Sequence, residues 1–138
     1  YLDGLSDAVI DAIVEGNAAP PSANTLSSIW NFGGATAQVA ADATAFGDRS
    51  MPWMLSIDSI WNDAADDDRN IGWTRDFWQR MKAHSHNGRM YLNFPGQGEE
   101  GARMLEDTFG DNYARLREIK RKYDKDNLFR HNQNIPPA

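Results

Sequence analysis

Cysteine is absent from this chain of 138 residues, which excludes disulfides and thiolate metal sites within it. No apolar run of about 18 residues occurs either, so no segment reads as a membrane-spanning helix. Basic residues are the minority, 14 against 20 acidic, giving a formal net charge of -6. Such a surface repels a nucleic-acid backbone, and no Lys/Arg stripe laced with aromatics reverses that. The opening Tyr1-Leu2-Asp3-Gly4 lacks the basic and apolar regions of a signal peptide. Repeats and low-complexity tracts are missing too. What is present suits one ordinary globular unit with a core to bury: 41% hydrophobic residues, 25% charged, and five Trp.

Leu5, Val9 and Ile13 recur at helical spacing opposite Asp7, Asp11 and Glu15, predicting a first helix that ends near Gly16. Residues 17–24, with Pro20-Pro21, read as a loop. Residues 25–32 are rich in β-formers and run into Gly33-Gly34, which predicts a hairpin with a second strand over 35–40. After a polar connection over 42–51, residues 52–61 predict a long central strand alternating Trp53, Leu55, Ile57 with Met54, Ser56, Asp58. Asp66-Asp67-Asp68 suits the positive end of a helix dipole, and Trp73, Phe77 and Met81 then share one face as core. A strand over 88–94, a short helix over 99–108 and a longer one over 111–123 complete the reading. In the last, Tyr113, Leu116, Ile119 and Tyr123 form an apolar stripe. The class is α+β, an antiparallel sheet with helices packed on one face.

Gly96-Gln97-Gly98-Glu99-Glu100-Gly101 matches G-x-G-x-x-G between a strand and a helix. It is rejected as a nucleotide site, because two Glu would stand where a pyrophosphate binds and no third strand completes a βαβ unit. Asp66-x-Asp68-x-Asn70 begins like a calcium loop but has Ile71 and Phe77 where Gly and Glu are required, so helix capping explains it better. His84 and His86 lack a third ligand nearby and read as a solvated helix exit; no metal is expected. Arg115, Arg117, Lys120, Arg121 and Lys122 surround the apolar stripe together with Glu118, as a solvated face would.

The last third is denser in side-chain amides and aromatics than an ordinary tail. Asn132, Gln133 and Asn134 can each donate and accept, beside Arg130 with its fixed donors and Phe129 as an apolar anchor. The plain reading is a strap that satisfies these amides on the protein's own backbone. Yet Tyr91-x-Asn93-Phe94, the helix from Asn112-Tyr113-x-Arg115-Leu116 to Lys122-Tyr123-Asp124, and Asn127-x-Phe129-Arg130-x-Asn132-Gln133-Asn134-Ile135-x-Pro137 together form a pattern. It resembles the C-terminus of the berberine-bridge-enzyme-like flavin oxidases. The likeness continues upstream, more loosely, through Gly33-Gly34-Ala35 and Thr44-Ala45-Phe46-x-x-Arg49 to the strand ending at Trp61 and the helix carrying Trp73.

The resemblance implies an FAD-dependent oxidase or dehydrogenase that takes a hydride from a C–H bond of an alcohol, sugar or amine-like small molecule and is reoxidised by dioxygen. Residues 1–90 would be part of the substrate-binding domain, and 91–138 the segment returning to an N-terminal FAD-binding domain of the same polypeptide. That domain, with the histidine and cysteine that tether the flavin in relatives, is not in this sequence, so a fragment of a longer enzyme is expected. Tyr91 and Asn93 match the family's Tyr-x-Asn strand beside the flavin ring; Asn132 and Gln133 match the terminal strap near the cofactor. Amides suit a ring that displays carbonyl and ring-nitrogen acceptors and an N–H donor.

Relatives also carry a carboxylate or amide over the flavin, and Ser56 or Asp58 occupies the comparable face. Asp58 would serve as the general base once burial makes it basic enough, against the reading of an exposed strand-end Asp. Phe94 stands where many relatives have a proton-accepting Tyr, Gly47-Asp48 where Pro-His is frequent, and Lys125 where Asp-Pro is usual. The alternative is a stand-alone α+β binding or dimerisation module, a homodimer included, without chemistry of its own.

Overall fold

The computed structural model of the chain describes residues 1–86, 89–94 and 102–138. It divides into two compact units, Tyr1–Phe32 with Met51–Gly88 and Gly33–Ser50 with Arg89–Ala138.

In the first unit, Ser6 caps helix α1 (Asp7–Gly16), its hydroxyl accepting from the Val9 N–H at 3.4 Å. The helix ends against the Phe77 ring, where a Cβ on Gly16 would lie 2.3 Å from a ring carbon, so only glycine permits this approach. Strand β1 (Leu26–Asn31) pairs antiparallel with β2 (Trp53–Asp58), Leu26 opposite Asp58 and Asn31 opposite Trp53. The expected hairpin is therefore wrong. Residues 34–38 form a short 3-10 helix, entered through Gly34 at φ +64°. Ala-Thr-Ala-Gln offers no apolar alternation to bury, whereas β2 supplies Trp53, Leu55 and Ile57 on one face.

Helix α2 (Asp67–Lys82) packs on α1 and β2. Leu2, Val9, Phe77 and Met81 form the buried core, and Trp53, Leu55, Ile57 and Trp73 pack around it. Leu2 also bridges Trp53 and Ser85, so β2 has neighbours on both sides at its first residue. A polar chain closes the far end: Ser22 donates to the Ile60 carbonyl and contacts the Thr25 hydroxyl at 2.7 Å, Thr25 contacts Ser59 at 3.2 Å, and Ser59 donates to Asn70 at 2.8 Å. Asn70 is fully buried and donates to the Asp66 carbonyl at 2.9 Å. Its place in the acidic motif is thus structural. The cap in that region is Asp63, accepting from Ala65, while Asp66 makes no side-chain cap. His86 is not simply solvated either, since its Nδ1 meets Asp3 at 2.9 Å.

The second unit holds helices α3 (Ala102–Phe109) and α4 (Asn112–Tyr123), joined at Gly110 with φ +50°. Leu105 and Tyr113 are buried, but Ile119 and Tyr123, expected in the same stripe, are exposed. The strand expected over 88–94 is not formed where the chain is described: residues 91–94 make a turn, closed by Phe94 N–H to the Tyr91 carbonyl at 3.1 Å. No strand of this unit lies among the described residues to pair with it. The glycine motif at 96–101 and the expected start of α3 lie outside the described residues. The architecture is α+β, helices with a two-stranded antiparallel sheet. No described helix is long and apolar enough to cross a membrane.

Candidate functional site

In the 91–94 turn the Asn93 amide donates to the Tyr91 hydroxyl at 2.7 Å, joining these two expected site residues directly. The Tyr91 ring meets Phe94 edge-on at 5.6 Å and Phe46 at 6.2 Å. Phe46 in turn lies 5.1 Å beneath the Arg49 guanidinium, whose Nη1 donates to the Thr36 carbonyl and Nη2 to the Thr44 hydroxyl at 3.1 and 2.6 Å. A planar fork of donors and a π face are the two things a guanidinium satisfies at once. The Thr-Ala-Phe-x-x-Arg motif is therefore the support under Tyr91.

Buried Asn112 holds the same loop from α4, donating to the carbonyls of Ala41 at 2.8 Å and Thr44 at 3.2 Å. Asp48, where the resemblance leads one to expect His, is only 6% exposed and pairs with Arg89 at 2.9 Å. Burial pushes its carboxyl pKa up. The Ser50 hydroxyl and N–H and the Arg89 guanidinium outweigh that and hold it below the ordinary carboxylate value.

The tail is held differently from expectation. Asp124, at the end of α4, accepts from the backbone N–H groups of Leu128 at 2.7 Å and Phe129 at 3.1 Å. Lys120 pairs with Asp124 and donates to the Phe129 carbonyl. One turn earlier, Arg117 donates to the carbonyls of Pro136 and Pro137, and its own carbonyl accepts from Ala138 N–H at 3.2 Å. The basic run is thus not a uniformly solvated face: the Lys120 side chain is 16% exposed and that of Asp124 is 9%. The Lys120 ammonium, with the N–H groups of Leu128 and Phe129, keeps the Asp124 carboxyl below its usual range. Sequence reasoning missed these tethers. The available signal was Lys120-x-x-x-Asp124, an ion-pair spacing on a helix that leads directly into a proline-ended tail.

Among the described residues the amides of the tail do not satisfy themselves on backbone. Asn132 is exposed at φ +58° and Gln133 half-buried, and neither side chain makes a hydrogen bond among the described residues. The Oδ1 atoms of Asn127 and Asn134 are buried without a partner. Phe129, expected as an anchor, has its backbone captured and its ring 81% exposed. Asp58 belongs to the other unit, at the end of β2, where its Oδ2 accepts from the Ser56 hydroxyl at 2.6 Å. Among the described residues no group of three or more His, Cys, Asp or Glu is placed to hold a metal ion.

Residues 90–136, which contain the Tyr91 turn, α4 and the clipped tail, match the family model described as "Berberine and berberine like". The chain matches a fragment of the berberine-bridge-enzyme-like family. It is 36% identical over 108 residues to an uncharacterized FAD-linked oxidoreductase, YvdP, of Bacillus subtilis, covering 78% of this chain and 23% of that protein. To Berberine bridge enzyme-like 17 of Arabidopsis thaliana it is 35% identical over 130 residues, 83% of this chain and 25% of the relative. The crystal structure of aclacinomycin oxidoreductase shares the fold, with a TM-score of 0.80 at 22% identity, covering all of this chain and 31% of that one. The chain spans about a quarter of the length of these curated relatives.

Proposed function

We propose that the chain is the C-terminal part of an FAD-dependent oxidoreductase, residues 1–90 contributing to its substrate-binding domain and 91–138 returning to a flavin-binding domain outside this sequence. The observation that carries the reading is the pair of amides, Asn132 and Gln133, that make no side-chain hydrogen bond among the described residues, on a tail clamped at both ends inside the segment that matches the family. Hydrogen-bonding groups left open on a held backbone are suited to meet a ligand rather than their own fold. With Tyr91 and Asn93 they supply both donors and acceptors, which fits the edge of a flavin ring.

FAD, when bound, supplies a hydride acceptor for a small-molecule C–H donor, and dioxygen would regenerate it. Tyr91 and Asn93 orient one another and, with Asn132 and Gln133, would hold the cofactor; Asp58, oriented by Ser56, would receive the substrate proton. Phe94 takes no proton, so it offers no base at that position. An alcohol, sugar or amine-like substrate suits this chemistry.

The test is the visible spectrum of protein made from the complete reading frame, before and after acid precipitation. A yellow protein is expected, and colour kept in the pellet means covalent flavin. A colourless protein would sink the reading and promote the binding-module alternative.

A further inference from the structure

Residues 129 and 136 are seven positions apart, yet they are held by Lys120 and Arg117, which are one helical turn apart on α4. Three helical residues rise about 4.5 Å, whereas seven extended residues reach about 23 Å. The intervening segment thus has more length than the helical step needs, which leaves room for a loop between the two side-chain contacts. Its backbone agrees: Asn132 takes the left-handed conformation, which Asn tolerates better than most residues, and the Asn134 N–H donates to the Asn132 carbonyl at 2.8 Å. At one foot of this loop both backbone polar groups of Phe129 are taken, its N–H by Asp124 and its carbonyl by Lys120. At the other foot Arg117 spans two consecutive carbonyls.

We propose that Lys120, Asp124 and Arg117 are positioning residues, a two-footed clip that fixes the height and rotation of Asn132 and Gln133 relative to α4. This rests on the reading of those amides as cofactor-side groups. The clip stiffens a loop whose apex makes no side-chain hydrogen bonds among the described residues, so the ordering cost is met before ligand arrives. Lys120 and Asp124 act together: the ammonium neutralises the carboxylate while the two hold the peptide groups on either side of the Phe129 Cα, so losing either loosens both.

The experiment uses the flavin-loaded protein made from the complete reading frame, with the variants Lys120→Met, Asp124→Asn and Lys120→Arg. Hydrogen exchange of residues 128–135 and the visible circular dichroism of the flavin are read together. Lys120→Met and Asp124→Asn should speed exchange at 128–135 about tenfold or more and alter the flavin band, with α2 unchanged, and Lys120→Arg should restore both. Unchanged exchange would overturn the clip. Faster exchange with an unaltered flavin band would overturn the positioning role. Should Lys120→Met fail to fold, Arg117→Met opens the other foot and is judged by the same two readouts. A colourless wild type would instead refute the flavin reading, and exchange at 128–135 would still decide the clip.

Discussion

The two units are held together by different physics. In the first, Leu2, Val9, Phe77 and Met81 are removed from water and the chain follows regular helices and strands. In the second, long irregular stretches are tied down by side chains reaching backbone: Asn112 to 41 and 44, Arg115 to 42, Lys120 to 129, Arg117 to 136 and 137. Apolar burial is non-directional and tolerates adjustment, whereas a tether fixes one atom against another. The unit that matches the family model relies on the second kind, which suits a region where position matters more than bulk stability.

The contrast can be broken from either side. The largest effect is expected from Phe77→Ala, which should cost about 3–5 kcal/mol in the first unit and is read by denaturant unfolding followed through tryptophan fluorescence. Exchange at 128–135 should stay as in wild type. Gly16→Ala drives a Cβ into the Phe77 ring and should cost about 1–3 kcal/mol in the same assay; no loss would show that the ring relaxes freely. Asn112→Ala removes the tether to the loop and leaves two carbonyls without it, a loss of about 1–3 kcal/mol. Exchange over 41–49 should rise while the first unit melts as before.

The smallest effect sharpens the comparison through pH. The folded pKa of Asp124 lies below its ordinary value of 3.8, so its contribution is complete above that value and disappears as pH falls through the lower, folded one. Limited proteolysis with an acid-active protease should open the tail after residue 127 only below that range. The core of Phe77 and Met81 contains no titrating group and should keep its protection there.

How legible this was in the sequence follows the same division. Apolar periodicity predicted α1, α2 and the second strand of the first unit, because Val9, Phe77 and Leu55 announce burial through spacing alone, while the first strand was legible from its β-formers. It failed at 35–40, where two glycines suggested a hairpin but small residues offered nothing to pair, and at 91–94, where Tyr91 and Phe94 meet edge-on across a turn instead of alternating along a strand. Tethers leave no period. Lys120 and Arg117 look like any solvated base until the proline-ended tail is seen to fold back on them. The Tyr91, Asn93, Asn132 and Gln133 reading came from pattern resemblance, and the spacing of those residues carries no local signal of their surroundings.

The hydroxyl row beside Asp58 has a property of its own. Ser22 spends its single proton on the Ile60 carbonyl and Ser59 spends its own on Asn70, so only Thr25 has one left for the two remaining contacts. Three hydroxyls thus share four contacts with three protons. Thr25 must choose: toward Ser22 at 2.7 Å or toward Ser59 at 3.2 Å, leaving a pair of facing lone pairs at the other. Beside the end of the sheet next to Asp58, the Thr25 hydroxyl is therefore a two-position rotor, its proton turned toward Ser22 or toward Ser59.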